Sequence, residues 1–170
     1  MHVLVATDGT TNIEKTAKFA IALSGEPGTT TVATVVRIPR RLLQELRSQY
    51  GERASINVDS DAEYVGSPQV DMSTPSGWPG DDSVIDQYLG NKRVEATRPV
   101  VEAIRALGGT AESIVREGDD IEADIMDLAT EIGAEVIVIG SHGHGAFQGL
   151  LGSTGAKLVR RSPVPVLVIR

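Results

Sequence analysis

Short apolar runs alternate with amphipathic stretches along most of the chain. HVLVATDGT, from His2 to Thr10, begins as a nearly continuous apolar run and ends in Asp-Gly. That pattern predicts a strand buried on both faces, as in a parallel sheet. In TNIEKTAKFAIALSG, Ile13, Ala17, Ala20, Ile21 and Ser24 recur at helical spacing, with Thr11 or Asn12 to cap the start and Gly25 the end. Thr29 to Ile38 is β-branched and predicts a second strand. AESIVREGDD, Ala111 to Asp120, predicts a third. From Asp120 to Gly133 the pattern is an amphipathic helix, with Ile121, Ile125, Leu128, Ala129 and Ile132 on one face. AEVIVIG predicts a fourth strand, Ser153 to Arg161 a short helix stopped by Pro163, and VPVLVIR a last strand. Strands alternating with helices predict an α/β fold: a single open, parallel, five-stranded, Rossmann-like sheet with helices on both faces. The first crossover is expected to be right-handed.

The middle of the chain breaks this rhythm. PRRLLQELRSQYGERAS offers a short helix. Residues 55–82 are rich in Ser, Asp, Gly and Pro and contain Trp78, the sole tryptophan. They predict a flexible loop or insertion, poorly ordered or forming a lid. Helical spacing resumes from Ser83, a candidate cap, to Leu107, and Pro99 is expected to kink or split that helix. With neither an internal repeat nor a second core pattern, residues 1–170 read as one domain.

Composition narrows the function classes. A net charge of −7 argues against nucleic acid or an anionic membrane as partner. The chain has no cysteine, which removes disulfide and thiolate chemistry. HVLVA is too short for a signal peptide or a membrane span, so a cytoplasmic location is expected.

The candidate chemistry lies after the fourth strand, where Gly140, Gly143, Gly145, Gly149 and Gly152 crowd one connection. Each glycine in an ordered element costs about 0.5–1 kcal/mol relative to alanine. Tight turns, close approach of a ligand or disorder would each account for them. In an open parallel sheet, ligands bind beyond the carboxyl ends of the strands, where strand order reverses. A glycine loop leading into a helix N-terminus there presents backbone N–H groups to an anion, and Ser153 and Thr154 add hydroxyls. A strand-to-helix connection without ligand is the plainer reading, as a turn and helix start is for Asp8-Gly9. His142 and His144, with no third ligand fixed by spacing, do not make a zinc site. GLLGSTGAKL is not a P-loop, because Ala156 follows Gly155 where lysine is required.

These motifs together resemble the universal stress protein family. Its nucleotide signature is glycine-x2-glycine-x9-glycine followed by serine or threonine. Gly140-Ser141-His142-Gly143 matches the first part and Gly152-Ser153 the last, while VATDGT resembles the first strand with its aspartate and PVPVLVIR the closing strand. The resemblance covers most of the chain outside roughly residues 40–82. It implies a homodimer through the last strand and a bound ATP, with Mg²⁺ or Mn²⁺ on its phosphates. Asp8 and Gly140 would lie near the ribose, the backbone of Val35 by the adenine, and Gly143, Gly152, Ser153 and the backbone of Thr154 around the phosphates. One departure stands out: eight residues, not nine, separate Gly143 from Gly152. In a helical segment that deletion turns the downstream residues by about 100°. Two readings therefore remain: an ATP-binding regulatory protein of the stress response, or a dimerisation and interaction module that keeps the fold without the nucleotide. No general base or water-positioning group is fixed by spacing, so the expected enzyme activity is at most slow ATP hydrolysis, with no catalytic residue assigned.

Overall fold

The computed structural model describes residues 1–38, 44, 81–141 and 152–170. Met1–Arg37 and Tyr88–Arg170 form one compact unit, and Ile38–Gln87 a second. Apart from residue 44, which is helical, the short helix expected after Ile38 falls outside the described residues, as does the 55–82 loop up to residue 80, while residues 81 and 82 begin a helix.

Among the described residues the main elements are β1 (His2–Ala6), α1 (Ile13–Ser24), β2 (Thr29–Val36), α2 (Asp81–Ala106), β3 (Ala111–Glu117), α3 (Ile121–Glu131), β4 (Val136–Gly140), α4 (Ser153–Arg161) and β5 (Val166–Ile169). The strands form one sheet in the order β3-β2-β1-β4-β5. Every pairing is parallel, with Val3 opposite both Thr30 and Val136, Thr30 opposite Ala111, and Ile137 opposite Val166. This is the expected parallel α/β architecture.

Alternation along each strand divides the core in two. Val3, Val5, Val32 and Val138 pack against Ala17 and Ala20 of α1 and Val100, Val101 and Ile104 of α2. Leu4, Ala6, Ala33, Ile137 and Ile139 pack against Ile125, Leu128 and Ala129 of α3 and Leu158 of α4. Each inner strand thus buries both faces, which is why it reads as an unbroken apolar run. On β5, Val166 and Val168, with Val164 just before the strand, join the second cluster, while Leu167 and Ile169 join the first.

Several boundaries differ from the sequence expectation. The β1 strand stops at Ala6 because side chains take over the backbone bonding in TDGTTN: Gly9 N–H donates to Thr7 Oγ1 and Thr10 N–H to Asp8 Oδ1, each at 3.0 Å. Gly9 has φ +93°, a conformation that favours glycine. Asn12, rather than Thr11, caps α1 by accepting from Lys15 N–H at 3.0 Å. Ile13 is exposed, and Thr16 turns inward in its place, its Oγ1 bonded to Thr11 Oγ1. The third strand ends at Glu117, since Asp120 is already the cap of α3. At Pro99, α2 is not split. Proline removes one helix donor, but the helix is held on both sides by buried Ala96, Thr97, Val100, Val101 and Ile104.

Cross-strand bonds brace the amino ends of the strands. His2 Nδ1 lies 2.9 Å from the Ile132 carbonyl, which can only accept, so this nitrogen carries the hydrogen. His2 Nε2 is 2.8 Å from Thr31 Oγ1, which is 2.9 Å from Glu112 Oε1. One residue away, Thr30 is buried, and among the described residues its Oγ1 is the sole buried side-chain polar atom without a hydrogen-bond partner. Burying an unpaired hydroxyl is unfavourable. Thr30→Val keeps the β-branched shape and removes that hydroxyl. It is expected to raise stability by about 1 kcal/mol, seen as a higher urea midpoint with an unchanged slope.

Candidate functional site

Strand order reverses between β1 and β4, since the chain winds outward through β2 and β3 on one side and to β5 on the other. Their carboxyl ends therefore carry connections that diverge and leave a crevice. A cleft lies there, enclosing about 120 Å³ between the ends of β1, β2 and β4 and the first turns of α3 and α4.

Its inner walls are apolar: Ala33 and Val35 from β2, Ile121 and Ile125 from α3, Ile139 from β4 and Leu158 from α4. Its polar groups are Thr7, Asp8, Thr10 and Thr11 from the β1–α1 connection and Thr154 from α4. Asp8 Oδ1 accepts from both the backbone N–H and the hydroxyl of Thr10, at 3.0 and 2.7 Å. The carboxylate is thus anchored by its own turn while standing on the cleft wall. Both readings of Asp8, turn former and cleft residue, describe the same geometry.

The structure brings Asp8, Val35, Gly140 and Thr154 together around the cleft from four separate segments. Gly152 and Ser153 stand at the start of α4, with Gly152 as the N-cap. Gly143 lies outside the described residues, as do His142 and His144. Sequence reasoning missed Thr7, Thr10, Thr11, Ile121, Ile125 and Leu158 as cleft residues. The isoleucines and the leucine carry the periodic signal of any core face, and only the strand order shows that they stand at the switch point, where the cleft lies.

Gly140 has a structural role of its own. A Cβ there would sit 2.9 Å from Thr11 Oγ1 and 3.1 Å from Thr11 Cβ. The β1–α1 connection approaches the end of β4 too closely for a side chain.

A second depression of about 350 Å³ adjoins the cleft, sharing Ile121 and Thr154 with it and lined also by Arg37, Asp119, Asp120, Glu122 and Lys157. It is charged where the cleft is apolar. Lys157 Nζ donates to Glu122 Oε1 at 2.6 Å, and Glu122 is 8% exposed. Arg37 bonds the carbonyl of Asp119 and stands 3.6 Å from its carboxylate. The N–H of Ala123 holds the Asp120 carboxyl below the ordinary carboxylate range, and the charges of Lys157 and Arg161 act in the same direction. Among the described residues no cluster of three or more His, Cys, Asp or Glu is arranged to hold a metal ion. Among them, too, no helix is long and apolar enough to cross a membrane.

A doubly wound parallel sheet with a part-apolar, part-hydroxylated cleft at its switch point defines an α/β domain of the Rossmann-like class. The chain belongs to the universal stress protein family, whose model matches residues 1–170. It is 31% identical over 85 residues to universal stress protein G of Shigella flexneri and, equally, of Escherichia coli O157:H7. The match covers 50% of this chain and spans 59% of the length of those relatives. Among solved structures, a universal stress protein in complex with cAMP superposes with a TM-score of 0.54 at 19% identity, covering 100% of this chain and 96% of that one. The universal stress protein from Archaeoglobus fulgidus in complex with dAMP gives 0.51 at 21% identity, covering 100% and 98%.

The close approach of Thr11 to Gly140 carries a prediction. Gly140→Val is expected to lower stability by about 1–3 kcal/mol, as overpacking does, in protein free of any ligand. Thermal unfolding of the ligand-free variant measures this, and an unchanged midpoint would show that the connection yields without cost.

Proposed function

We propose that this chain binds an adenine nucleotide, ATP with Mg²⁺ or Mn²⁺ on its phosphates, and works as a nucleotide-responsive regulatory protein of the stress response in the cytoplasm. The observation that carries this is the convergence of Asp8, Val35, Gly140 and Thr154 on one cleft at the switch point. The residues present fit the group. The apolar walls suit a heterocycle, and Asp8 with its neighbouring threonines suits ribose hydroxyls. At α4, Gly152 makes no side-chain cap bond, which leaves the first-turn N–H groups for an anion. Gly143, Gly152, Ser153 and the backbone of Thr154 would take the phosphates, and the metal ion would neutralise their charge. Complexes of two relatives with cAMP and dAMP support the adenylate class.

A nucleotide-free interaction module of the same fold is the second reading. One observation favours it: Thr11 already requires Gly140 to lack a side chain, so that glycine is explained without a ligand. Calorimetry with millimolar ATP–Mg²⁺ separates the two. Heat of binding and a thermal shift are expected, and Gly152→Val is expected to abolish both by placing a branched side chain at the phosphate approach. Absence of heat and shift in the unmodified protein would leave the module reading.

We further propose a homodimer through β5. Among the described residues this strand pairs only with β4, so its outer edge is open, and Val166, Leu167 and Val168 are only partly buried. An apolar edge invites pairing, and two copies running antiparallel about a two-fold axis would close both edges. Light scattering at tens of micromolar is expected to show a dimer with or without nucleotide. Val166→Asp or Leu167→Arg is expected to give monomers or insoluble protein. A monomeric unmodified protein would remove the dimer.

A further inference from the structure

On α3 the buried residues are Glu122, Ile125, Leu128 and Ala129. Glu122 is thus a carboxylate in an otherwise apolar set. Its position in the first turn suits an anion, but at 8% exposure burial needs a partner as well. That partner is Lys157, one helical turn beyond Thr154 on α4.

The α4 helix is only nine residues long, its N-cap makes no side-chain bond, and its first turn holds no acidic residue. Its buried residues are Gly155, which has no side chain to anchor, and Leu158, packed against α3 and the sheet, while the neighbouring Lys157, itself exposed, reaches back to the buried Glu122. A helix anchored by one apolar side chain can roll about it. A second anchor on the adjacent residue, aimed at another helix, stops the roll. We infer that Glu122 is a positioning residue: through Lys157 it fixes the roll of α4, and so sets Thr154 and the first-turn N–H groups against the cleft. Its part in ligand binding rests on the nucleotide reading; its hold on α4 does not.

The rival role for the pair is sequestration, in which Glu122 keeps Lys157 away from an anionic ligand. The two roles predict opposite signs. Two variants test them. Glu122→Gln keeps the size of the side chain and removes its charge; Glu122→Gln combined with Lys157→Met removes the remaining bond and leaves no buried charge unpaired. In the ligand-free protein, hydrogen exchange of the Ala156–Val159 amides is expected to quicken about tenfold in the double variant, the scale on which a lost partly buried pair loosens an element. Exchange in α1 stays unchanged as the internal control. Unchanged exchange in α4 would overturn the inference whether or not the protein binds nucleotide.

Calorimetry then reads the consequence. ATP–Mg²⁺ affinity is expected to fall roughly tenfold in both variants, in the range seen when a supporting partner is removed from a site, while adenosine affinity falls less, because Leu158, its α4 neighbour in the apolar wall, is the pivot of the roll and adenosine lacks the phosphates that the first-turn N–H groups would face. Equal loss for both ligands, or tighter ATP binding in Glu122→Gln, would overturn the positioning role. An unmodified protein that binds no ATP would defeat the nucleotide reading instead, and the exchange measurement would still decide the anchor.

Discussion

The two-sided hydrogen bonding of β1 is the constraint on which the rest of the structure depends. This five-residue strand pairs with β2 on one side and β4 on the other, both parallel to it. A parallel partner cannot be reached by a hairpin, so each needs a crossover. Because those crossovers run to opposite sides, strand order reverses between β1 and β4, and the cleft lies at that point. Its apolar floor is the upper end of the α3/α4 core, formed by Ile125, Ile139 and Leu158. Val3 and Val5 face one layer and Leu4 and Ala6 the other. The same alternation that makes the strand a core element therefore delivers its next residues, Thr7 and Asp8, to the mouth of the cleft.

Much of this architecture was legible in the sequence because two-face burial writes an apolar run that hardly anything else produces. The order of elements followed directly. Boundaries were harder, since the strand ends dissolve into connections whose bonds are made by Thr7, Asp8, Thr10 and Asn12 rather than by a neighbouring strand. Ile13 misled because helical spacing cannot say which of two adjacent stripes faces inward. Thr16 took that place through its bond to Thr11, a polar contact invisible to a hydrophobic pattern. Glu122 was hidden for the complementary reason. A carboxylate in a helix's first turn looks like surface and dipole complement until its cation on another helix is found. Of the candidate site, Asp8 and Gly140 pointed to the end of the sheet where the cleft lies. The contribution of Ile121, Thr10 and Thr11 needed the strand order itself.

Gly140 shows how a motif glycine can serve two constraints at once. The absence of a side chain there is required by Thr11, 2.9 Å from where a Cβ would be. That closeness brings the β1–α1 connection up to the end of β4, and with it the hydroxyls that line the cleft. Packing and access are thus one geometric fact, and a variant at this position tests both together unless stability is measured first without ligand.

The bracing of the sheet's far end has a wider consequence. His2, Thr31 and Glu112 link three neighbouring strands by side-chain bonds, and the amino terminus of Met1 bonds the Ser24 carbonyl at 2.7 Å. A one-residue slip in strand register would reverse which face each side chain meets, and these bonds lock the register at the end remote from the cleft. The connections at the other end are thereby relieved of that duty. Side chains at the cleft end that take no part in packing can therefore vary while the strands stay aligned, which leaves that end of the scaffold open to the drift of new specificities.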